Sequence, residues 1–230
     1  AIVHGAATRS LDPHDTAISQ INGAGVQQLL ELGERWEIGR FVFLSSIGIV
    51  GSPAQLPITE QHAPKPRTAY HASKLYGEHL LAVASARGLS TVSLRLTAPV
   101  GPGTPAGRIV SAFVQRARGN APLLVAGRGT RRQDYVDVRD IAAAVAAALD
   151  AAAAPELLNV GSGRSISNLD LARTCVEVLD SRSDITFSGE TDPDEGARWE
   201  VSIEQAVSHL GYQPRHSLRD SILALAEVTP

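Results

Sequence analysis

Short apolar runs and stretches of helical periodicity alternate along most of the chain. Six apolar runs predict strands, at residues 1–4, 41–44, 91–96, 123–125, 135–138 and 157–160. Six stretches of helical periodicity or helix-forming composition predict helices, at residues 15–32, 69–87, 108–118, 141–153, 169–179 and 218–226. Strands that alternate with helices favour crossover connections and a parallel sheet, so the pattern predicts an α/β fold.

The chain from about Pro102 onward has a different pattern from the part before it. Its predicted strands are shorter and are mixed with helices. After Ser181 the sequence becomes richer in charged residues, proline and glycine. This change predicts a small lobe at the open end of the sheet.

The composition is that of an ordinary globular protein. Of the 230 residues, 43% are hydrophobic and 20% are charged, and the formal net charge is −3. No basic stripe is visible, so nucleic acid is not expected as a partner. No apolar run approaches the ~20 residues of a membrane span, and no signal peptide is visible, which predicts a cytoplasmic protein away from membranes. The single cysteine, Cys175, lies in an apolar periodic stretch, and we interpret it as a core residue.

The strongest local indication of chemistry is the sequence YHASK in the predicted helix of residues 69–87. Its first and last residues, Tyr70 and Lys74, are four positions apart and therefore project from one face of a helix. A nearby ammonium favours the ionised form of a tyrosine and lowers its pKa. The pair can then exchange a proton with a hydroxyl or carbonyl group. Alone, however, the same spacing also fits an exposed helix face without a function.

Two serines, Ser45 and Ser46, end the predicted strand that precedes this helix. Ligands of open parallel sheets bind at the carboxyl ends of the strands. A serine hydroxyl at this position could hydrogen-bond the substrate oxygen that Tyr70 protonates. The alternative interpretation of Ser46 is a loop serine that caps backbone groups.

Together with this pair, further segments form an ordered series of motifs. They are Ile2–Ala7, Asn22 with Gly25 (N-x-x-G), Phe41–Gly51 (FVFLSSIGIVG), Tyr70 with Lys74, Ser93–Pro102 (SLRLTAPVGP), Gly127–Asp140 (GRGTRRQDYVDVRD), Leu158–Gly163 (LNVGSG) and Leu210–Pro214 (LGYQP). With these segments in this order, the chain resembles an extended short-chain dehydrogenase/reductase of the NAD-dependent epimerase/dehydratase type.

The resemblance implies a fold, an activity and a cofactor. The fold is a Rossmann-like, doubly wound parallel sheet with a small α/β C-terminal substrate lobe. Residues 1–101 would form a partial dinucleotide-binding domain with the catalytic residues, and residues 102–230 mostly the substrate lobe, with some segments that return to the sheet. The activity is that of an NAD(P)-dependent epimerase or reductase acting on a nucleotide sugar. NAD or NADP would take or give hydride at a sugar carbon, and no metal is implied.

The resemblance also implies roles for particular residues. Tyr70 would move the hydroxyl proton, Ser46 would orient that oxygen, and Lys74 would hold the nicotinamide ribose while biasing Tyr70. The residues implied to line the cofactor cleft are Gly5, Ala6, Ala7, Arg9, Asn22, Ser45, Lys74, Thr97 and Pro99. The residues implied to lie near the substrate are Ser46, Ala98, Arg131, Arg132 and Gln133.

Departures from the family pattern concern the substrate. Ala98 stands where the family has an asparagine that contacts substrate, and Gln133 stands where it has a phosphate-binding arginine. The neighbouring Arg131 and Arg132 could take over that role, since guanidinium groups suit diphosphates. They could equally form a solvated basic turn.

The reaction type depends on the residues after Ser46. Ile47 and Gly48 stand where the 4,6-dehydratases of the family carry Asp-Glu. Without that acid, we expect epimerase or ketoreductase chemistry rather than loss of water. The lost asparagine and arginine contacts leave a reductase of a non-sugar carbonyl as an alternative, and a non-catalytic, truncated binding protein is a third hypothesis.

The largest departure lies at the N-terminus. The family begins with a G-x-x-G-x-x-G turn that places a pyrophosphate at a helix N-terminus, whereas this sequence contains no methionine and begins at the equivalent of the fourth strand. Two crossover units, roughly 60 residues, would precede it. Because the first strand would otherwise be an exposed edge, we predict that the natural protein contains them or that another chain covers the edge. The resemblance also makes a homodimer, formed through the helices that carry Asn22 and Tyr70, a candidate assembly.

Overall fold

A computed structural model describes residues 1–10, 12, 14–53 and 55–228. Its strands are β1 (Ile2–His4), β2 (Phe41–Ser46), β3 (Thr91–Leu96), β4 (Ala98–Val100), β5 (Leu123–Val125), β6 (Arg132–Asp137), β7 (Leu157–Val160), β8 (Ser165–Ser167) and β9 (Ile185–Phe187). Its α-helices are α1 (Gly25–Arg35), α2 (Ala69–Ala86), α3 (Ile109–Arg118), α4 (Val138–Asp150), α5 (Asn168–Val178), α6 (Glu204–Leu210) and α7 (Leu218–Val228). A π-helix spans Ile18–Ala24, and a 3₁₀ helix spans Ile47–Val50.

The described chain forms two compact units. The first contains residues 1–97, 143–160 and 202–212, and the second contains residues 98–142, 161–201 and 213–230. The division that the sequence predicts after residue 101 thus falls inside the first segment of the second unit. Two later segments return to the first unit, one with β7 and one with α6.

The first unit is built on a parallel sheet with strand order β1-β2-β3-β7. Phe41 and Phe43 of β2 pack with residues of α1 and α2 in one core cluster. Val42, from the opposite face of the same strand, packs with Ala144 of α4 and Ala206 of α6. Helices therefore cover both faces of the sheet, and the predicted doubly wound parallel arrangement is confirmed.

The segment before β2 differs from its prediction as one helix over residues 15–32. A π-helix over Ile18–Ala24 precedes α1. The wider π turn carries an extra residue, and such turns occur most often at functional positions. Here it buries Asn22, whose side chain is 2% exposed, while Ile21 is 45% exposed.

The second unit has its own sheets and core. Strands β4, β6 and β8 form one sheet, and β5 pairs with β9 in another. Helices α3, α5 and α7 pack together around a single apolar cluster that includes Phe113, Leu171 and Cys175. Cys175 is fully buried, as predicted, and burial raises the pKa of its thiol to about 12. The three-residue strands β4, β8 and β9 were not predicted, because such short runs carry little periodicity.

No helix within the described ranges is long and apolar enough to cross a bilayer.

Candidate active site

Ser46 occupies the last position of β2, at the carboxyl edge of the parallel sheet. Its hydroxyl oxygen accepts a long hydrogen bond, 3.3 Å, from the backbone N–H of Gly48 at the start of the 3₁₀ helix. The side chain therefore caps a backbone group, as the alternative interpretation of Ser46 expects. It also stands where ligands of open parallel sheets bind, so the two interpretations of this serine are compatible.

Helix α2 brings Tyr70 and Lys74 to the same region of the first unit. Thr68 caps the helix by accepting a hydrogen bond from the His71 N–H at 3.1 Å. Because Tyr70 lies in the first turn and Lys74 one turn later, both side chains project from the same side of the helix. The Lys74 Nζ lies 5.8 Å from the centroid of the Tyr70 ring.

Lys74 is held firmly although it is charged. It is 3% exposed, its Nζ donates to the carbonyl oxygen of Leu44 at 2.8 Å, and the same atom lies 4.8 Å from the Phe43 ring centroid. Burial lowers the pKa of Lys74 to about 8. Of the three donors of an ammonium, one is thus used to fix the side chain against β2.

Arg9 and His71 lie beside Tyr70. The Arg9 guanidinium carbon is 5.6 Å from the centroid of the tyrosine ring, and the His71 ring contacts it edge-on at 5.4 Å. Burial, and then the charge of Arg9, lower the pKa of His71 to about 4. At neutral pH the histidine is therefore uncharged, and the cations near the ring are Arg9 and Lys74.

Asn22 links the loop after β1 to helix α2. Its Oδ1 accepts from the Thr8 N–H at 2.8 Å, and its Nδ2 donates to the Thr8 carbonyl and to Ser73 Oγ, both at 2.9 Å. Ser73 Oγ in turn donates to the Tyr70 carbonyl at 2.7 Å. Both amide hydrogens of Asn22 are thus used within the chain, so the side chain supports the loop rather than offering these donors to a cofactor.

Ser45 points to a different partner from Ser46. Its hydroxyl donates to Glu78 Oε1 at 2.6 Å, and Glu78 also binds Arg95 of β3. The sequence did not single out Glu78 or Arg95. The signal available was modest: Glu78 repeats the four-residue spacing of Tyr70 and Lys74, and Arg95 lies in the SLRLTAPVGP segment.

Part of the set predicted at the cofactor side leaves room for a dinucleotide. Gly5, which has no side chain, and the small residues Ala6 and Ala7 are exposed after β1, which permits close approach to the backbone at the carboxyl edge of the sheet. Thr97, buried after β3, donates its N–H to the Val160 carbonyl at 3.0 Å. With the ammonium of Lys74, this set suits the ribose and nicotinamide end of NAD.

The remaining predicted residues belong to the second unit. Ala98 and Pro99 lie in β4, and Gln133 lies in β6. Arg132 donates to the hydroxyl and carbonyl oxygens of Ser165 at 3.1 and 2.6 Å. Its Nε also lies 3.9 Å from a Glu200 carboxylate oxygen.

Arg131 faces acidic groups as well. Its Nη1 lies 3.7 Å from Asp192 and 3.5 Å from Asp194. The turn before it is held by Glu195, whose carboxylate accepts from the N–H groups of Arg128 and Thr130. Carboxylates of the chain itself therefore pair with both arginines, a contact that neither interpretation of these arginines included. Within the described ranges, no cluster of three or more His, Cys, Asp or Glu side chains could hold a metal ion.

Comparisons with known proteins identify the family. A sequence model of the NAD dependent epimerase/dehydratase family matches residues 1–161, and the chain belongs to this family. It is 28% identical to dTDP-glucose 4,6-dehydratase of Streptomyces niveus, over 99% of this chain and 69% of the relative. It is 31% identical to UDP-glucose 4-epimerase of Lacticaseibacillus casei, over 89% of this chain and 68% of the relative. The chain thus spans about two thirds of the length of these relatives.

A solved structure supports the same assignment. The structure of MoeE5 in complex with UDP-glucose and NAD matches 99% of this chain and 78% of its own, with a TM-score of 0.87 and 25% identity. This match confirms the predicted Rossmann-like fold. The family is one of NAD-dependent enzymes, so the predictions of an enzyme and of a nicotinamide dinucleotide cofactor are also confirmed.

Proposed function

We propose that the chain carries the catalytic residues of an NAD(P)-dependent epimerase or reductase that acts on a nucleotide sugar. The observation that carries the proposal is the position of Tyr70 and Lys74 beside the carboxyl end of β2, where Ser46 stands. The relatives named for dTDP-glucose and UDP-glucose chemistry support a nucleotide sugar as substrate.

Each of the three residues has a distinct task in this proposal. NAD, when bound, accepts or returns hydride at a sugar carbon. Tyr70 exchanges a proton with the sugar hydroxyl or carbonyl oxygen, and Ser46 donates a hydrogen bond to that oxygen. Lys74 uses its remaining donors to hold the nicotinamide ribose, and its positive charge favours the ionised form of Tyr70.

Epimerase or reductase chemistry is favoured over loss of water. The residues after Ser46 are Ile47, Gly48, Ile49 and Val50, and all four are buried. None of them can act as an acid or base. A dehydratase needs an acidic group to assist the leaving hydroxyl, and this part of the chain does not supply one.

A second candidate is a reductase of the same fold that acts on a carbonyl compound without a nucleotide. Arg131 and Arg132 pair with carboxylates of the chain itself, and Gln133 replaces the arginine of the family. A diphosphate at these arginines would have to displace Asp192, Asp194 or Glu200. This competition is the specific observation that favours the alternative.

We also propose that two copies of the chain form a homodimer. The π-helix and α2 pack side by side, and each leaves large apolar side chains in solvent. Ile21 is 45% exposed, Tyr76 is 47% exposed and Val83 is 59% exposed. A second copy would cover these side chains. The cytoplasmic location stays a prediction from the sequence.

The proposed function is tested with the full chain, NAD or NADP, and a small set of sugars. We expect saturable binding of UDP-glucose or dTDP-glucose in the presence of the dinucleotide, and turnover that Tyr70→Phe lowers at least about 100-fold, the range of general acid–base catalysis. Tyr76→Phe, an exposed tyrosine of the same helix, is the matched control and should retain activity.

Each negative outcome has a separate meaning. Binding of NAD without binding of either nucleotide sugar would favour the reductase of a non-nucleotide carbonyl. Undiminished turnover of Tyr70→Phe would refute the assignment of proton transfer to this residue.

A further inference from the structure

Three polar side chains from three elements meet beneath the candidate active site. Glu78 of α2 accepts from Ser45 Oγ of β2 at 2.6 Å, and from Nε and Nη2 of Arg95 of β3 at 2.9 and 2.8 Å. Ser45 and Arg95 are direct neighbours across the parallel strands. We call these three residues the Glu78 cluster.

The Glu78 cluster is nearly dry. The side chains of Arg95 and Glu78 are 4% and 9% exposed, and Arg95 Nη1 is buried with no hydrogen-bond partner among the described residues. A buried ion pair loses much of its attraction to desolvation, and apolar side chains of similar volume often give equal stability. Stability alone is therefore a weak explanation for this cluster, and its directional geometry suggests another one.

The Glu78 cluster adjoins the proposed catalytic residues both on helix α2 and on strand β2. Glu78 follows Lys74 by one helical turn, which is about 6 Å along the axis. Ser45 lies between Leu44, whose carbonyl receives the Lys74 ammonium, and Ser46. The cluster thus joins the helix of Tyr70 and Lys74 to the strand of Ser46, one residue before Ser46.

We propose that Glu78 and Arg95, with Ser45, are positioning residues that fix helix α2 along and around its axis against the end of β2. This inference rests on the proposed function, because it assigns the cluster to the placement of Tyr70 and Lys74 opposite Ser46. Apolar contacts of α2 hold the helix against the sheet without directional preference. The bidentate pair of the Arg95 guanidinium and the Glu78 carboxylate is directional, so it can fix the position of the helix along and around its axis.

To separate the position of α2 from the stability of the fold, a variant must remove the charges of Glu78 and Arg95 together. Glu78→Gln alone leaves the Arg95 charge unpaired and should lose both stability and activity. The triple variant Ser45→Ala/Glu78→Leu/Arg95→Met removes every polar group together and should regain an unfolding midpoint near that of the natural chain. If the cluster positions α2, kcat of the triple variant with UDP-glucose and NAD remains about 10- to 100-fold low.

The position of Lys74 can be read without any substrate. This sequence contains two lysines, Lys65 and Lys74, so side-chain nitrogen signals of a lysine-labelled sample distinguish them in a pH titration. In the triple variant we expect the pKa of Lys74 to move from about 8 toward its ordinary value of 10.5, because a displaced α2 relieves the burial that lowers it. The exposed Lys65 is the internal control, and Lys74→Arg assigns the signals.

The outcomes separate this inference from the proposed function. A folded triple variant with an unchanged Lys74 titration overturns the positioning role, whatever its turnover. Should the triple variant fail to fold, Ser45→Ala alone gives the same readout, with a smaller shift expected. If neither UDP-glucose nor dTDP-glucose binds while the Lys74 titration moves as expected, the proposed nucleotide-sugar function is wrong and the positioning of α2 stands.

Discussion

Lys74 combines the catalytic task that we propose for it with an unfavourable burial, and the two should have opposite pH dependences. Burial lowers its pKa to about 8, against 10.5 for an exposed lysine. As pH rises through 8 the folded chain loses the ammonium, so turnover should fall. Between pH 8 and 10.5 the unfolded chain binds more protons than the folded one, so this lysine makes the folded chain more stable with rising pH.

Two variants check these dependences. Lys74→Arg keeps a positive charge at all accessible pH values, so the alkaline fall of its normalised turnover should move above pH 8. Lys74→Met has no amine. Its free energy of unfolding, measured with urea between pH 8 and 10.5, should therefore lack the part of the increase that Lys74 contributes. An identical alkaline fall in the natural chain and in Lys74→Arg would rule out Lys74 as its origin.

Apart from the family resemblance, the sequence indicates residue roles only where a local pattern brings side chains together. The shared side of the helix that Tyr70 and Lys74 occupy is predicted because four residues make about one helical turn, and the place of Ser46 at the sheet edge because it ends an apolar run. The resemblance implies that Asn22 lines the cofactor cleft, and nothing in the sequence indicates that its amide donates to Ser73, which lies 51 positions later in the chain. Partners at such separations depend on the tertiary fold, and no local pattern contains them.

At the scale of elements, close contact between α2 and β2 depends on one glycine. A Cβ on Gly77 would lie 2.6 Å from the Phe43 ring, which is 1% exposed and stacked on His4. The ring has no free space, so Gly77→Ala should destabilise the fold by about 1–3 kcal/mol and lower kcat by shifting α2. Urea unfolding and steady-state kinetics measure both effects.

Gly25→Ala is the matched control for this prediction. Gly25 is also helical, and the nearest atom to an added Cβ is 3.8 Å away. The alanine should gain about 0.5–1 kcal/mol from its lower backbone entropy in the unfolded chain. A stabilised Gly77→Ala would show that Phe43 has room to move and that the contact does not set the helix position.

Element types were easier to predict than the irregular elements between them. Strands β2, β3 and β7 and helix α2 follow from uninterrupted apolar runs and helical periodicity. The π-helix did not follow, because its apolar residues Ile18 and Ile21 also fit an ordinary helix. In the structure this segment buries Asn22 and exposes Ile21.

At the scale of the molecule, the return of later segments to the first sheet was predicted in outline only. Asn159 of β7 shows why. Its N–H donates to Glu60, and its amide donates to the carbonyls of Ile58 and Ser202. The segment therefore joins parts of the chain that are about 100 and 43 positions away, and such pairings arise from tertiary packing rather than from local sequence.

The proposed homodimer gives the last prediction. Ile21 of the π-helix and Tyr76 and Val83 of α2 are exposed apolar side chains on two packed helices, and the Tyr76 ring lies beside Gly23. A standard interface buries about 800 Å² on each partner, and charges placed at its centre remain unpaired when buried. We expect Ile21→Glu/Val83→Glu to convert the dimer to a monomer by sedimentation at micromolar concentration.

A change elsewhere on the surface should leave the dimer intact. Phe187→Glu is the matched control, because Phe187 is also 59% exposed but lies on β9 in the second unit. If Phe187→Glu dissociates the dimer and Ile21→Glu/Val83→Glu does not, the interface lies on the second unit. If the natural chain sediments as a monomer at every concentration measured, the exposed apolar side chains of the two helices need another explanation. Tyr70 and Lys74 would then act without a second copy packed against the helix that carries them.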